Sequence, residues 1–176
     1  MKKLMLTATL AALCLTAAST RVSRQSLAAM EKSLDQKVLS LWPDNPFALL
    51  GTTRGVYVEG LGAVFTAEIN LATGPTIMPG LGIKKEQIEK HRQTKLARLP
   101  QIKKELKQIL MNTAASLDGV GPDEQVVLAV FLYRYHWEDA SGIPAQLQLQ
   151  AQKKQLVQAL RSNGANLDAI IRIEEQ

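Results

Sequence analysis

At 176 residues and 19.3 kDa the chain has the length of one ordinary domain and is short for two. Hydrophobic residues make up 46% and charged residues 21%, which provides for a packed core and excludes wholesale disorder. A single cysteine, Cys14, excludes a disulfide-stapled fold and a zinc–cysteine cluster, and 21 Lys and Arg against 16 Asp and Glu give a formal charge of +5.

Met1-Lys2-Lys3 is followed by an uncharged run from Leu4 to Thr20 that ends in the small residues Ala17, Ala18 and Ser19. A basic start, a short apolar stretch and small residues have the pattern of a secretory signal peptide over 1–18, of bacterial type. The apolar stretch is short for a membrane span. Leu13 before Cys14 is the wrong residue for lipid attachment, and Cys14 sits inside the apolar stretch. Removal of 1–18 would take Cys14, Lys2 and Lys3 away and leave 19 basic against 16 acidic residues. The expectation is an exported chain, periplasmic or extracellular, held together by its core alone.

Leu27, Met30, Leu34, Val38 and Leu41 recur at helical spacing, and Pro43 and Pro46 end that pattern. Residues 19–46 therefore read as an N-terminal helix and a proline-containing linker, and 47–176 as a single domain. Two alternating runs, Arg54–Glu59 and Gly62–Leu71, flank Gly60-Leu61 and predict a hairpin with a two-residue turn. That register sets Val58 opposite Ala63 and Val56 opposite Phe65, with Val56 and Val58 on the buried face. A Gly- and Pro-rich loop follows over 72–82. Lys84–Leu117 reads as a helix kinked or divided at Pro100. Glu124–Trp137, with its β-branched centre, reads as an interior strand. A helix after Pro144 then carries a solvated glutamine run, Gln146 to Gln158, and Leu167–Ile173 closes as a strand. The fold class expected is α+β: an N-terminal helix, then β-hairpin–α–β–α–β, forming a roughly four-stranded mixed sheet with helices packed on it. If the last two strands are neighbours, the helix between them makes their connection a parallel crossover.

Catalytic patterns are thin. His91 and His136 are the only histidines, and there is no G-x-S-x-G elbow. His136 and Glu138 point the same way on an extended strand, with Asp139 beside them, but a third metal ligand is not visible. Gly60-Leu-Gly62 and Gly80-Leu-Gly82 lack the context of a phosphate-binding loop. No catalytic residue, metal or cofactor is assigned from the sequence.

Two broader features remain. Lys84, Lys85, Lys90, Arg92, Lys95, Arg98, Lys103, Lys104 and Lys107 crowd one helix against Glu86, Glu89 and Glu105. Such a helix fits a solvated face or contact with an anionic surface, whether phospholipid headgroups or acidic polysaccharide. Phe131, Tyr133, Tyr135 and Trp137 alternate along the predicted strand and, with Tyr57, form either core or a surface for a sugar, an apolar ligand or a partner chain. Nucleic acid is not expected, because basic and aromatic residues do not interleave. The function expected is an exported, non-enzymatic binding or interaction domain of the bacterial envelope. Its partner would be a protein, a polysaccharide or an anionic membrane surface. The alternatives are a hydrolase-like or metal-dependent enzyme centred on His136, Glu138 and Asp139, and a structural protein that forms homo-oligomers through its N-terminal helix.

Overall fold

A computed structural model describes residues 22–45, 48–76 and 82–176. The signal-like segment with Cys14, together with Pro46, Ile77 and Met78, lies outside the described residues. The elements are α1 (Arg24–Leu41), β1 (Arg54–Val58), β2 (Gly62–Ile69), α2 (Lys85–Ala114), β3 (Gln125–Leu132), β4 (Gln146–Gln152), α3 (Lys153–Arg161), α4 (Leu167–Ile170) and β5 (Arg172–Glu175). They form an α+β fold with one five-stranded mixed sheet in the order β1-β2-β3-β4-β5. The β2–β3 pair is parallel, bridged by α2, and the other three pairs are antiparallel. The parallel crossover therefore belongs to β2 and β3, and β4 and β5 meet antiparallel.

The helices lie on one face of the sheet. Leu27, Met30, Leu34 and Val38 of α1 share a core with Phe65 and Ile69 of β2, Leu128 of β3 and Leu149 of β4. Leu99, Ile102, Leu106 and Leu110 of α2 enter the same core, and Leu156 of α3 closes it. The apolar stripe of α1 is thus buried within its own chain. Helix α2 runs through Pro100 without ending, and Gln87 begins it by accepting the Lys84 N–H at 3.0 Å. Among the described residues no helix is long and apolar enough to cross a membrane.

Three elements differ from the sequence expectation. The hairpin loop has three residues, so Tyr57 pairs with Ala63 and Val56 with Val64. Gly62 has φ +123°, and a Cβ there would stand 1.9 Å from the Gln125 carbonyl oxygen, so only glycine permits β3 to approach so closely. This shift of one residue turns Val56 and Val58 outward and Tyr57 inward. The glutamine run is a strand at its start: Leu147, Leu149 and Ala151 are buried between outward Gln146, Gln148, Gln150 and Gln152. Lastly, residues 167–170 form a helical turn and the strand begins at Arg172. The extra strand, β4, raises the sheet from four strands to five.

Candidate functional site

The aromatic stripe divides where β3 ends. Phe131 stays on the sheet face opposite the helices and is 46% exposed. Beyond Leu132 the chain leaves the sheet and turns, with the Glu138 N–H donating to the Tyr135 carbonyl at 3.2 Å. Tyr133, Tyr135 and Trp137 gather beside the N-terminal half of α2. Tyr135 stacks on Trp137 at 4.9 Å between centroids, and His91 lies 5.6 and 5.0 Å from the two rings. Tyr57 stands elsewhere, donating its hydroxyl to Glu124 at 2.9 Å at the hairpin end.

Under these rings lies a buried charged cluster that sequence reading did not assemble. The side chains of Lys95 and Glu138 are each 1% exposed, and that of His91 is 4%. Lys95 Nζ donates to both Glu138 oxygens, at 2.8 and 2.6 Å, and to the Tyr133 carbonyl at 2.7 Å. The Tyr135 N–H and the His91 ring also meet Glu138 Oε2, at 3.1 and 3.2 Å. The phenol oxygen of Tyr135 accepts from Asn70 Nδ2 and the Gly74 N–H, which ties the turn to the end of β2. Burial, then the charge of Lys95, hold the His91 ring below its ordinary value, against the pull of Glu138 and the Thr73 carbonyl. Burial likewise lowers Lys95, against Glu138. Among the described residues every buried side-chain nitrogen and oxygen has a hydrogen-bond partner.

A cavity of about 370 Å³ opens beside this cluster, lined in part by Thr73, Lys90, His91, Thr94 and Arg98. Its Arg98 donates to Asp44 and to the Leu71 carbonyl and lies over the Trp42 ring. Three other members of the basic helix are also paired. Arg92 faces Glu89 and Asp139, Lys103 pairs with Glu175, and Lys107 with Asp168. Lys84, Lys85, Lys90 and Lys104 remain exposed, while Lys95 is interior. His136 and Asp139 are exposed, whereas the Glu138 carboxylate turns inward to Lys95 and His91, so the structure does not bring these three together. Among the described residues no group of three His, Cys, Asp or Glu is placed to hold a metal ion.

The opposite face of the sheet has the contrary character. Val56, Val58, Leu61 and Phe131 are four of the five large apolar residues exposed among the described ones, and all belong to this face or to the hairpin at its end. Pairing orders the residues of this face in cross-strand rows. One row reads Val56, Val64, Val127, Gln150, Arg172, and the next reads Arg54, Thr66, Ala129, Gln148, Glu174. Beyond these, Glu68 pairs with Phe131 and Phe131 with Gln146. The middle of the face is thus valine, alanine, phenylalanine and glutamine, and its charges stand toward the β1–β2 side and at β5. The middle of the face offers apolar area and amide hydrogen bonding, with the carboxylates of Glu68 and Glu174 toward its margins.

No family model, curated protein or solved structure matches the chain.

Proposed function

We propose that the protein is a non-enzymatic binding domain, exported to the bacterial envelope, that engages a protein surface through the open face of its sheet. The observation that carries this reading is the concentration of exposed Val56, Val58, Leu61 and Phe131 on that one side. Apolar residues exposed together on one side mark interaction sites on water-soluble proteins, and an uncharged middle suits a protein surface better than a polyanion. Export rests on the signal-like pattern of residues 1–18. The mutual saturation of His91, Lys95 and Glu138 supports a structural role for the charged cluster, since its groups are committed to each other and to backbone.

The test is a comparison of the wild-type protein with Val64→Lys as bait against an envelope fraction. Retained proteins would be identified and then recombined in purified form. Retention by the wild type and loss with Val64→Lys, at equal helical and sheet content, is the expected result. Equal retention by both would place the working surface elsewhere.

A further inference from the structure

We infer that the partner of the open face is a second copy of this chain, stacked sheet on sheet; this rests on the reading of that face as the binding surface. The face is complementary to itself under a two-fold axis lying across the strands, between the Val127 row and the Ala129 row. That operation sets each row against the other row of the second copy, strand over like strand. Val127 then meets the second copy's Ala129, Val64 its Thr66, Gln150 its Gln148, and Arg172 its Glu174. Each contact occurs twice, as an isologous interface requires. Apolar side chains fall on apolar or small ones, amide on amide, and guanidinium on carboxylate. The exceptions are Val56, which meets the aliphatic stem of Arg54, a contact that long basic side chains tolerate, and Phe131, which meets the second copy's Gln125.

The area is of the same order as that of an ordinary interface. Five strands of four to eight residues form the sheet. At about 4.8 Å between strands and 3.3 Å per residue they project roughly 500 Å². Side-chain relief raises the accessible area toward the roughly 800 Å² per partner of ordinary stable interfaces. Stacked sheets interdigitate at about 10 Å with strand directions within about 30°, so short valine and alanine at the centre suit close approach. Single lysines there would bury an unpaired charge in the second copy's face.

Sedimentation velocity over a dilution series tests this directly. The wild-type chain is expected at twice the monomer mass when concentrated and at monomer mass when dilute. Val64→Lys and Phe131→Lys are expected to remain monomeric throughout, with unchanged circular dichroism. Arg172 and Glu174 also pair with each other within the chain at 2.6 Å, so a mixing experiment separates the two roles. Arg172→Glu leaves both outward positions of that strand, 172 and 174, acidic and Glu174→Arg leaves both basic, so each alone should self-associate more weakly. Mixing the two should restore the dimer, which a purely internal ion pair would not do. A wild type that stays monomeric at its highest soluble concentration overturns the inference, as does a dimer that persists in both lysine variants. If that monomer still retains an identified envelope protein through Val64, the binding reading stands and only the choice of partner fails. If it retains nothing, both fail.

Discussion

Each side of the sheet carries an exception to the usual division of residues. On the helix side, Lys95 and Glu138 are buried as deeply as the leucines around them. On the other, Val56 is 54% and Phe131 46% exposed. The buried charges show what structure alone requires: every donor and acceptor is matched, because an unmatched one costs several kcal/mol in a dry interior. No such requirement explains why valine and phenylalanine stand outside. The difference teaches that the titratable cluster is committed to partners within the chain, and that the plain apolar face is the side left open to solvent.

Breaking the buried side should have the largest effect. Lys95→Met leaves Glu138 without its cation and is expected to cost about 3–5 kcal/mol in chemical denaturation. His91 then faces Glu138 without a competing positive charge, so the loss of stability on acidification should be weaker in this variant than in the wild type. Glu31→Gln is a smaller break at the other end of the molecule. Its carboxylate accepts from Arg24 at 2.7 and 2.8 Å and from the Gly55 N–H at 2.7 Å, which staples α1 to β1. Burial alone would raise Glu31, but those donors hold it below the ordinary carboxylate range. The expected cost is about 1.5 kcal/mol, read from the urea midpoint at neutral pH.

The pH dependence is subtler. The ordinary value for His91 is 6.5, and its folded value lies lower, so on acidification the unfolded chain takes the proton first. His91 should therefore add its full share to stability above pH 6.5 and lose it as pH falls below, until the folded ring protonates as well. The facing groups are Lys95 and Glu138, with the Thr73 carbonyl. Thermal melts from pH 7.5 to 5 should show this limb in the wild type and lose it in His91→Gln. A separate limb, from Glu31 and Glu124, should appear only below about 4.5, the ordinary glutamate value. The smallest effect belongs to the open face. Val64→Lys, studied in dilute solution, should change stability by no more than about 0.5 kcal/mol. A large loss there would mean that the face is core.

Much of this arrangement was legible in the residues. The α1 stripe, the hairpin and the long helix followed from spacing that burial rewards, and the α+β class followed from their order. The β4 strand was equally legible, since Gln146 to Gln152 alternates glutamine with leucine or alanine. Counting only the glutamines hid that period of two, because helix and strand differ in what lies between them. The hairpin register was not legible. It depends on the contact of Gly62 with Gln125, a residue 63 positions away whose approach no local turn rule encodes. The charged cluster left a partial trace: His91 and Lys95 continue the stripe of Leu99, Ile102 and Leu106 at spacings of four and three. Charged residues on a core stripe imply buried partners, but Glu138 is supplied by a turn after β3 that the aromatic alternation concealed. The apolar open face was obscured by the register error, which had put Val56 and Val58 inside.

Carbene footprinting of the full chain across a dilution series tests most directly whether the open face is the working surface. Labelling at Val56, Val64, Val127 and Phe131 should be low in concentrated protein and rise together on dilution, while exposed Leu39 on α1 labels equally throughout. Equal labelling of the four face residues at every concentration would contradict the assignment of that face to a second copy.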